Sequence, residues 1–336
     1  MAVFLEAQVE AALQLAVKSV SPGTLGGSTL LDAMLRASPP FRHFEGGRIA
    51  ISAHLPLAVH AAITGSAVEA ESLAAALTAL EAGIYALDHL MDDELATPLD
   101  AWPQETTMLC AASLVSYVPL RLLAKMTCDD ATSRQIHERL GDALARIATG
   151  QAQDIATKSG QSSSSDIEQA IYGKTGERRA LYASVAAILA GASRVAVEAY
   201  GDFARHLGVA RQMNSDLADA FSTSASRDLT SGVRTLPVAF YLERQPDAAR
   251  ERMLAALESC RRDVSAHEEV RQLLRSSNCL RELLKRKELH CELARQRLAD
   301  ARPRAPADSW LLKMIDAASI TSLTAASASR RGEIAK

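Results

Sequence analysis

Residues 72–95 read Ser72-Leu-Ala-Ala-Ala-Leu-Thr-Ala-Leu-Glu81-Ala-Gly83-Ile-Tyr85-Ala-Leu-Asp88-His-Leu-Met-Asp92-Asp93-Glu-Leu95. Alanine and leucine recur at helical spacing, and Ser66-x-x-Glu69 just ahead has the form of a capping box, so the stretch predicts one long apolar helix. Near its end the character changes. Positions i and i+4 of a helix share a face, so Asp88 and Asp92 project side by side, with Asp93 beside them and Leu87, Leu90 and Met91 packed around. Like charges one turn apart repel unless a cation sits between them, and a hard divalent ion completed by waters and a phosphate is the usual partner. A solvated helix end would carry the same residues.

The rest of the chain keeps this helical character. Hydrophobic residues make up 48% of the 336 and aromatics only 4%, a composition that suits close-packed helices better than sheets. No segment alternates cleanly at period two. Breaks rich in Gly, Pro and Ser at 21–27, 38–40, 96–103, 159–165, 222–232 and 302–306 punctuate long helices. Ser165-x-x-Glu168 reads as a second capping box before Ala170, and Pro56 and Pro119 should kink their helices or mark first turns. From about 248 to 304 the chain becomes Arg- and Glu-rich with Leu at helical spacing, as outer amphipathic helices do. With no repeat and no long linker, a single domain over 1–336 is expected, and the fold class is all-α.

Lys and Arg number 37 against 40 Asp and Glu, so the formal net charge of −3 gives no global field to attract nucleic acid or an anionic membrane. No uninterrupted apolar run reaches about 18 residues, so no membrane span is expected. The cysteines Cys110, Cys128, Cys260, Cys279 and Cys291 are odd in number and form no CxxC pair, which reads as free thiols. Glu6 and Glu10 lie inside the apolar pattern of residues 1–17 and no basic leader precedes it, which argues against a signal peptide. A cytoplasmic setting is expected.

A second acidic cluster, Gln212-Met-Asn-Ser-Asp216-Leu-Ala-Asp219, follows about 125 residues after the first. Gln212, Asp216 and Asp219 are spaced i, i+4 and i+7 and form one polar stripe. Between the two clusters stand Gln151 and Asp154, about one turn apart, and then Gly173-Lys174-Thr175-Gly176-Glu177-Arg178, where Lys174 and Arg178 share a face. Acidic stripes that hold cations, joined by basic side chains that reach an anion, describe a site for a metal-bound polyphosphate.

The order and spacing of these motifs resemble the trans-isoprenyl diphosphate synthase family. Its first aspartate-rich motif, DDxxD, is matched by Asp88-His89-Leu90-Met91-Asp92, with His in second place and Asp93 added. Its GQxxD is present as Gly150-Gln151-Ala152-Gln153-Asp154 and its KT pair as Lys174-Thr175. Its second aspartate motif looks like Gln212 through Asp219, and its trailing GKxTLP looks like Gly232-Val233-Arg234-Thr235-Leu236-Pro237, preceded by Asp228. The resemblance covers roughly 40–245, leaving 246–336 as additional C-terminal helices. It implies a helical bundle around a deep cavity, in which Asp88, Asp92, Asp93, Asp216 and Asp219 hold three Mg²⁺ ions on an allylic prenyl diphosphate. Gln151, Asp154, Lys174, Thr175, Arg178, Gln212 and Arg234 would bind that substrate, and the family commonly forms homodimers. The chemistry agrees: a departing diphosphate carries away about three negative charges, which metals and cations neutralise as the C–O bond breaks. Tyr85, Tyr117, Tyr182, Phe203, Phe221 and Phe240 are aromatic candidates for shielding the resulting cation, with core packing as their other role.

Two departures from the family pattern bear on activity. Elongating members carry GGKxxRP for the second diphosphate, that of isopentenyl diphosphate; here Gly46-Gly47-Arg48-Ile49-Ala50-Ile51-Ser52 keeps one cation. The Arg pair expected after the first acidic motif is also missing, since Arg121 is the first Arg beyond Asp93. The leading expectation is therefore a terpene synthase (a lyase) that cyclises or quenches the cation. The alternatives are chain elongation using other cations such as Arg42, His43 and Arg48, a prenyltransferase with a non-diphosphate acceptor such as a peptide indole, and a non-catalytic subunit. For chain length, Gly83 and Ile84 would leave room below Asp88, whereas Tyr85 could plug it.

Overall fold

The structure, a computed structural model, describes residues 3–24, 27–91, 101–159, 162–221 and 226–319. These residues form seventeen α-helices and no strand, so the all-α expectation is borne out. Close contacts divide the chain into two compact units, each assembled from three segments.

The first unit comprises Met1–Arg139, Tyr182–Tyr200 and Ala301–Leu311. It contains α1 (Val3–Val20), α2 (Thr29–Ala37), α3 (Pro39–Glu45), α4 (Ile51–Thr64), α5 (Glu71–Met91), α6 (Gln104–Val115) and α7 (Tyr117–Leu123). Helix α5 carries the Ala- and Leu-rich stretch that ends near Asp88, and it packs against α1, α4, α6 and α7. Small residues make this possible: Ala74, Ala75, Ala76, Ala79 and Ala82 are buried along it and let neighbouring backbones approach. Gly83 marks the tightest place. A Cβ there would lie 2.8 Å from Leu114 Cβ and 2.9 Å from the Ala111 carbonyl, so its missing side chain makes way for α6 rather than for a longer substrate.

Pro56 lies inside α4, while Pro119 occupies the first turn of α7, where its missing N–H has no intrahelical partner to lose. The segment 301–311 closes this unit from the far end of the sequence: Arg304 N–H donates to the Ala62 carbonyl at 2.9 Å, and the Trp310 ring packs on buried His54 at 5.8 Å.

The second unit comprises Leu140–Leu181, Gly201–Asp300 and Leu312–Lys336. It holds most of α8 (Asp130–Ser159), then α9 (Ser164–Ile171), a π-helical turn (Tyr172–Gly176), the start of α10 (Glu177–Leu189) and most of α11 (Arg194–Ala220). There follow α12 (Arg227–Thr230), α13 (Leu236–Arg244), α14 (Asp247–Cys260), α15 (His267–Arg275), α16 (Cys279–Ala301) and the end of α17 (Ala307–Asp316). Its core joins Ile167 and Ile171 of α9, Val209 and Met213 of α11, Phe240 of α13, Met253 of α14, Val270 of α15 and Leu283 of α16. The expected second capping box is displaced by two residues. Ser163 is the N-cap and exchanges hydrogen bonds with Asp166, which leaves Glu168 to bond His290 instead.

Two helical stretches are long and apolar enough to cross a membrane by length and composition alone, although neither is an uninterrupted apolar run: Val68–Met91 and Gln104–Leu123, with mean hydropathies of 1.2 and 1.4. The first is a core helix, 72% buried within the protein, while only 39% of the second is buried. The expectation counted unbroken apolar runs, which scattered polar residues such as Thr78 and Glu81 interrupt without making the average polar. All five cysteines are free thiols.

Candidate active site

In the second unit most of the sequence-derived residues come together. A glycine starts the arrangement. A Cβ at Gly150 on α8 would collide with Gly173 C and Lys174 N and would sit 2.7 Å from Gly173 O, so only glycine allows α8 to lie backbone to backbone against the π-helical turn. One turn further along α8, Asp154 then receives Lys174 Nζ at 3.0 Å, in a pair whose side chains are only 14% (Lys174) and 21% (Asp154) exposed. The adjacent Thr175 donates from Oγ1 to Gln212 Oε1 at 3.3 Å, and Gln212 Nε2 donates to Asp216 Oδ1 at 2.9 Å. The i, i+4 relation of Gln212 and Asp216 read from the sequence is thus a direct hydrogen bond on α11. Lys174 stands in the π-helical turn and Arg178 at the start of α10, so the i, i+4 relation read from the sequence runs across the junction from π- to α-helix.

Asp216 is buried at 8% exposure. Burial, reinforced by the charges of Asp228, Asp154 and Asp219, pushes its carboxyl up to about 7, against the opposing hydrogen bond from Gln212. Asp219 is spent differently. Its Oδ2 accepts from Ser226 Oγ at 2.5 Å and from Asp228 N–H at 3.1 Å, and its Oδ1 from Arg227 N–H at 3.2 Å, so it ties the chain after α11 to the start of α12. Beneath these residues Glu177 is clamped by Arg205 at 2.8 Å and Arg146 at 3.0 Å. Burial opposes its ionisation, but the two guanidinium groups prevail and hold its carboxyl below the usual range. Gln151, Arg178 and Arg234 belong to the same unit, and Arg234 lies half-buried just ahead of α13.

In the first unit Asp88 is half-buried in the last turns of α5, with the His89 ring edge-on to Tyr85 at 4.1 Å. Asp92 and Asp93 lie outside the described residues. Helix α3 ends in the turn that carries Gly46 and Gly47, and this turn brings Arg42, His43 and Arg48 together: Arg48 N–H donates to the His43 carbonyl at 2.7 Å. Arg42 also reaches α5, where its Nη2 donates to Tyr85 Oη at 2.7 Å and its guanidinium covers the Tyr85 ring at 5.5 Å. Tyr85, three residues before Asp88, is therefore joined to a basic turn. Of the other aromatic candidates, Tyr182, Phe203 and Phe240 are fully buried, and Tyr182 Oη donates to buried Glu81 at 2.6 Å.

Sequence reasoning passed over Ser226, Asp228, Glu177 and Arg205. Asp228 was visible ahead of the Gly232 motif but carried no role, and the Glu177–Arg205 pair spans 28 positions with no periodic signal to join them.

A family model described as polyprenyl synthetase matches residues 56–276, about two thirds of the sequence. The chain belongs to the polyprenyl synthetase family. With membership comes the broad class, an enzyme acting on prenyl diphosphates. The short chain isoprenyl diphosphate synthase of Methanothermobacter thermautotrophicus is 27% identical over 243 residues, 68% of this chain and 73% of that one. The crystal structure of geranylgeranyl pyrophosphate synthetase from Pyrococcus horikoshii Ot3 superposes with a TM-score of 0.79 at 18% identity, covering 94% of this chain and 97% of the other. Polyprenyl synthase from Caulobacter crescentus CB15, complexed with calcium and isoprenyl diphosphate, gives 0.77 at 19% identity over 94% of both chains. The all-α isoprenyl synthase fold expected from the motifs is thus the fold of this chain.

Proposed function

We propose that this protein is a chain-elongating polyprenyl diphosphate synthase, in which an allylic prenyl diphosphate ionises and isopentenyl diphosphate is the acceptor. The family match over residues 56–276 carries this reading, and it displaces the terpene synthase favoured by the depleted GGKxxRP element. The basic turn of Arg42, His43 and Arg48 supports it, because it supplies three side chains able to carry positive charge where the motif alone counted one. In the reaction the allylic C–O bond breaks with its electron pair leaving on the diphosphate. The acceptor double bond then attacks the cation to form a C–C bond, and loss of a proton restores an alkene.

Divalent metal fits the donor set. Asp216 is a buried carboxyl crowded by Asp154, Asp219 and Asp228, an arrangement that disfavours the carboxylate until a cation neutralises it. Among the described residues no three acidic, imidazole or thiol groups converge closely enough to close a metal shell by themselves. Mg²⁺ does not require that, since it keeps waters and takes substrate phosphate oxygens beside one or two carboxylates. Asp216 and Asp219 in the second unit, and Asp88, Asp92 and Asp93 in the first, would each offer carboxylates to Mg²⁺, which supplies charge neutralisation to the departing diphosphate. Lys174 and Arg178 add fixed positive charge, Gln212 orients Asp216, and Asp219 holds the start of α12 through Ser226, Arg227 and Asp228.

A homodimer belongs to the same proposal, supported by an apolar face on α6 and α7 where Met108, Leu109 and Leu120 are 51%, 68% and 47% exposed.

The deciding experiment incubates the protein and Mg²⁺ with geranyl, farnesyl or geranylgeranyl diphosphate, with and without isopentenyl diphosphate. Longer prenyl diphosphates are expected only with both substrates present. A hydrocarbon or alcohol formed without isopentenyl diphosphate restores the terpene synthase reading. In the same assay Arg48→Ala is expected to raise KM for isopentenyl diphosphate about tenfold while leaving that for the allylic substrate within twofold, since one charged hydrogen bond is worth roughly 1.5 kcal/mol or more.

A further inference from the structure

Helix α11 has two faces with opposite tasks. Gln212, Asp216 and Asp219 share one; Asn214, Leu217, Ala218 and Phe221 lie about half a turn of rotation away, on the other. The second face borders a largely apolar cavity of about 560 Å³, lined across from it by Leu280 and Leu284. A helix backed by open space is poorly restrained against rotation about its axis.

Asn214, the polar member of that face, meets two partners. Lys287 of α16, with 1% of its surface exposed, donates from Nζ to Asn214 Oδ1 at 2.9 Å, and Asn214 Nδ2 donates to the Ala318 carbonyl at 3.0 Å. The amide orientation is fixed from both ends, because an ammonium needs an acceptor and a carbonyl needs a donor. The neighbours repeat the link: Ser319 Oγ lies 2.9 Å from both carboxylate oxygens of Glu288, the residue after Lys287. Three separate segments, α11, α16 and residues 318–319, therefore meet at one side chain.

We propose that Lys287 and Asn214 are positioning residues that set the rotation of α11 and so aim Gln212 and Asp216, with the chain at 318–319 as the third point of support. The inference rests on the proposed function only for what is being aimed. A carboxylate about 6 Å from a helix axis moves roughly 1 Å for a 10° rotation, and displacements of that size cost up to about a hundredfold in rate. Neither residue touches substrate, so neither is catalytic. Lys287→Met removes a buried ammonium with its desolvation cost but leaves Asn214 Oδ1 without its donor, so some loss of stability accompanies any loss of aim and the two are read separately.

The test compares the full-length wild type with Lys287→Met and, should that variant not fold, with Asn214→Ser. Two readouts are taken: steady-state kinetics with both substrates over a Mg²⁺ titration, and amide hydrogen exchange of residues 207–219 in the metal-free protein. Expected for the folded variant are a melting temperature lowered only modestly, a kcat down 10- to 100-fold, an allylic KM within twofold, and half-saturating Mg²⁺ raised at least threefold. Exchange over 207–219 is expected to quicken at least tenfold, while residues 71–91 are unchanged. Wild-type kcat and exchange in the folded variant overturn the proposal, as does a rate loss that merely tracks the folded fraction. If the wild type transfers no prenyl group yet Lys287→Met still quickens exchange over 207–219, the functional reading fails and the positioning role stands.

Discussion

At the scale of single residues, Asp216 is where the fold works against itself. A carboxyl held near 7 costs nothing in stability below its unfolded value near 4; the cost grows as pH rises toward 7 and stays constant above. Asp216→Asn is therefore expected to stabilise the metal-free protein by on the order of 2 kcal/mol at pH 8, with a gain that vanishes near pH 4, while turnover falls at least about a hundredfold. Thermal melting at the two pH values and a pyrophosphate-release assay check both halves; equal gains at both pH values would sink the electrostatic account.

The opposite sign holds at His206, whose Nδ1 meets His290 Nδ1 at 2.9 Å while His290 Nε2 lies 3.2 Å from Glu168. Burial first, then the His290, Arg205 and Arg297 charges, push the His206 imidazole down to about 4, with Asp202 opposing; the Tyr172 ring also packs on it. Stability is thus present above pH 6.5 and is lost as pH falls toward 4, by about 1–2 kcal/mol once partial exposure is discounted. His206→Gln is expected to flatten that limb of the melting temperature against pH. Asp216, Gln212 and Lys174 were legible in the sequence because helical spacing fixes faces. The Lys174–Asp154 pair and the diversion of Asp219 were not, since spacing says nothing about which rotamer reaches across to another helix.

At the scale of elements, the close contact of α8 with the π-helical turn is the decisive joint. Gly150→Ala must push two backbones apart and is expected to destabilise by about 1–3 kcal/mol. It also draws Asp154 away from Lys174, so kcat should fall further than stability accounts for. Urea unfolding and kinetics on the same preparation separate the two, and unaltered values of both would remove the joint from the account. Helix existence was readable from periodicity throughout, and most breaks fell where Gly, Pro and Ser cluster. Ends were less so: the box written as Ser165–Glu168 is Ser163–Asp166 because four successive serines, 162–165, offer the same capping chemistry, and the π-helical turn leaves no compositional trace.

On the scale of the whole molecule, family and fold were readable from motif order, while the choice between elongation and cyclisation was not. Arg42, His43 and Arg48 were legible as alternative cations for a second diphosphate; spacing alone did not show that the end of α3 gathers them, with Arg48 N–H on the His43 carbonyl. The outward apolar side chains of α6 and α7 bear on assembly. Leu109→Glu is expected to convert a dimer into monomers at micromolar concentration in sedimentation velocity, because a charge buried in an apolar interface costs several kcal/mol. Persistence of a dimer would direct attention to another surface.

The three-segment make-up of the first unit reaches beyond the finished molecule to its synthesis. Arg304 supplies a hydrogen bond to Ala62 and Trp310 a cover over His54, so a growing polypeptide from which α1–α7 have already emerged still lacks these contacts. Until translation passes residue 311 that cover is missing, so a chain truncated before Arg304 is expected to expose more apolar surface and aggregate more readily than the full-length protein.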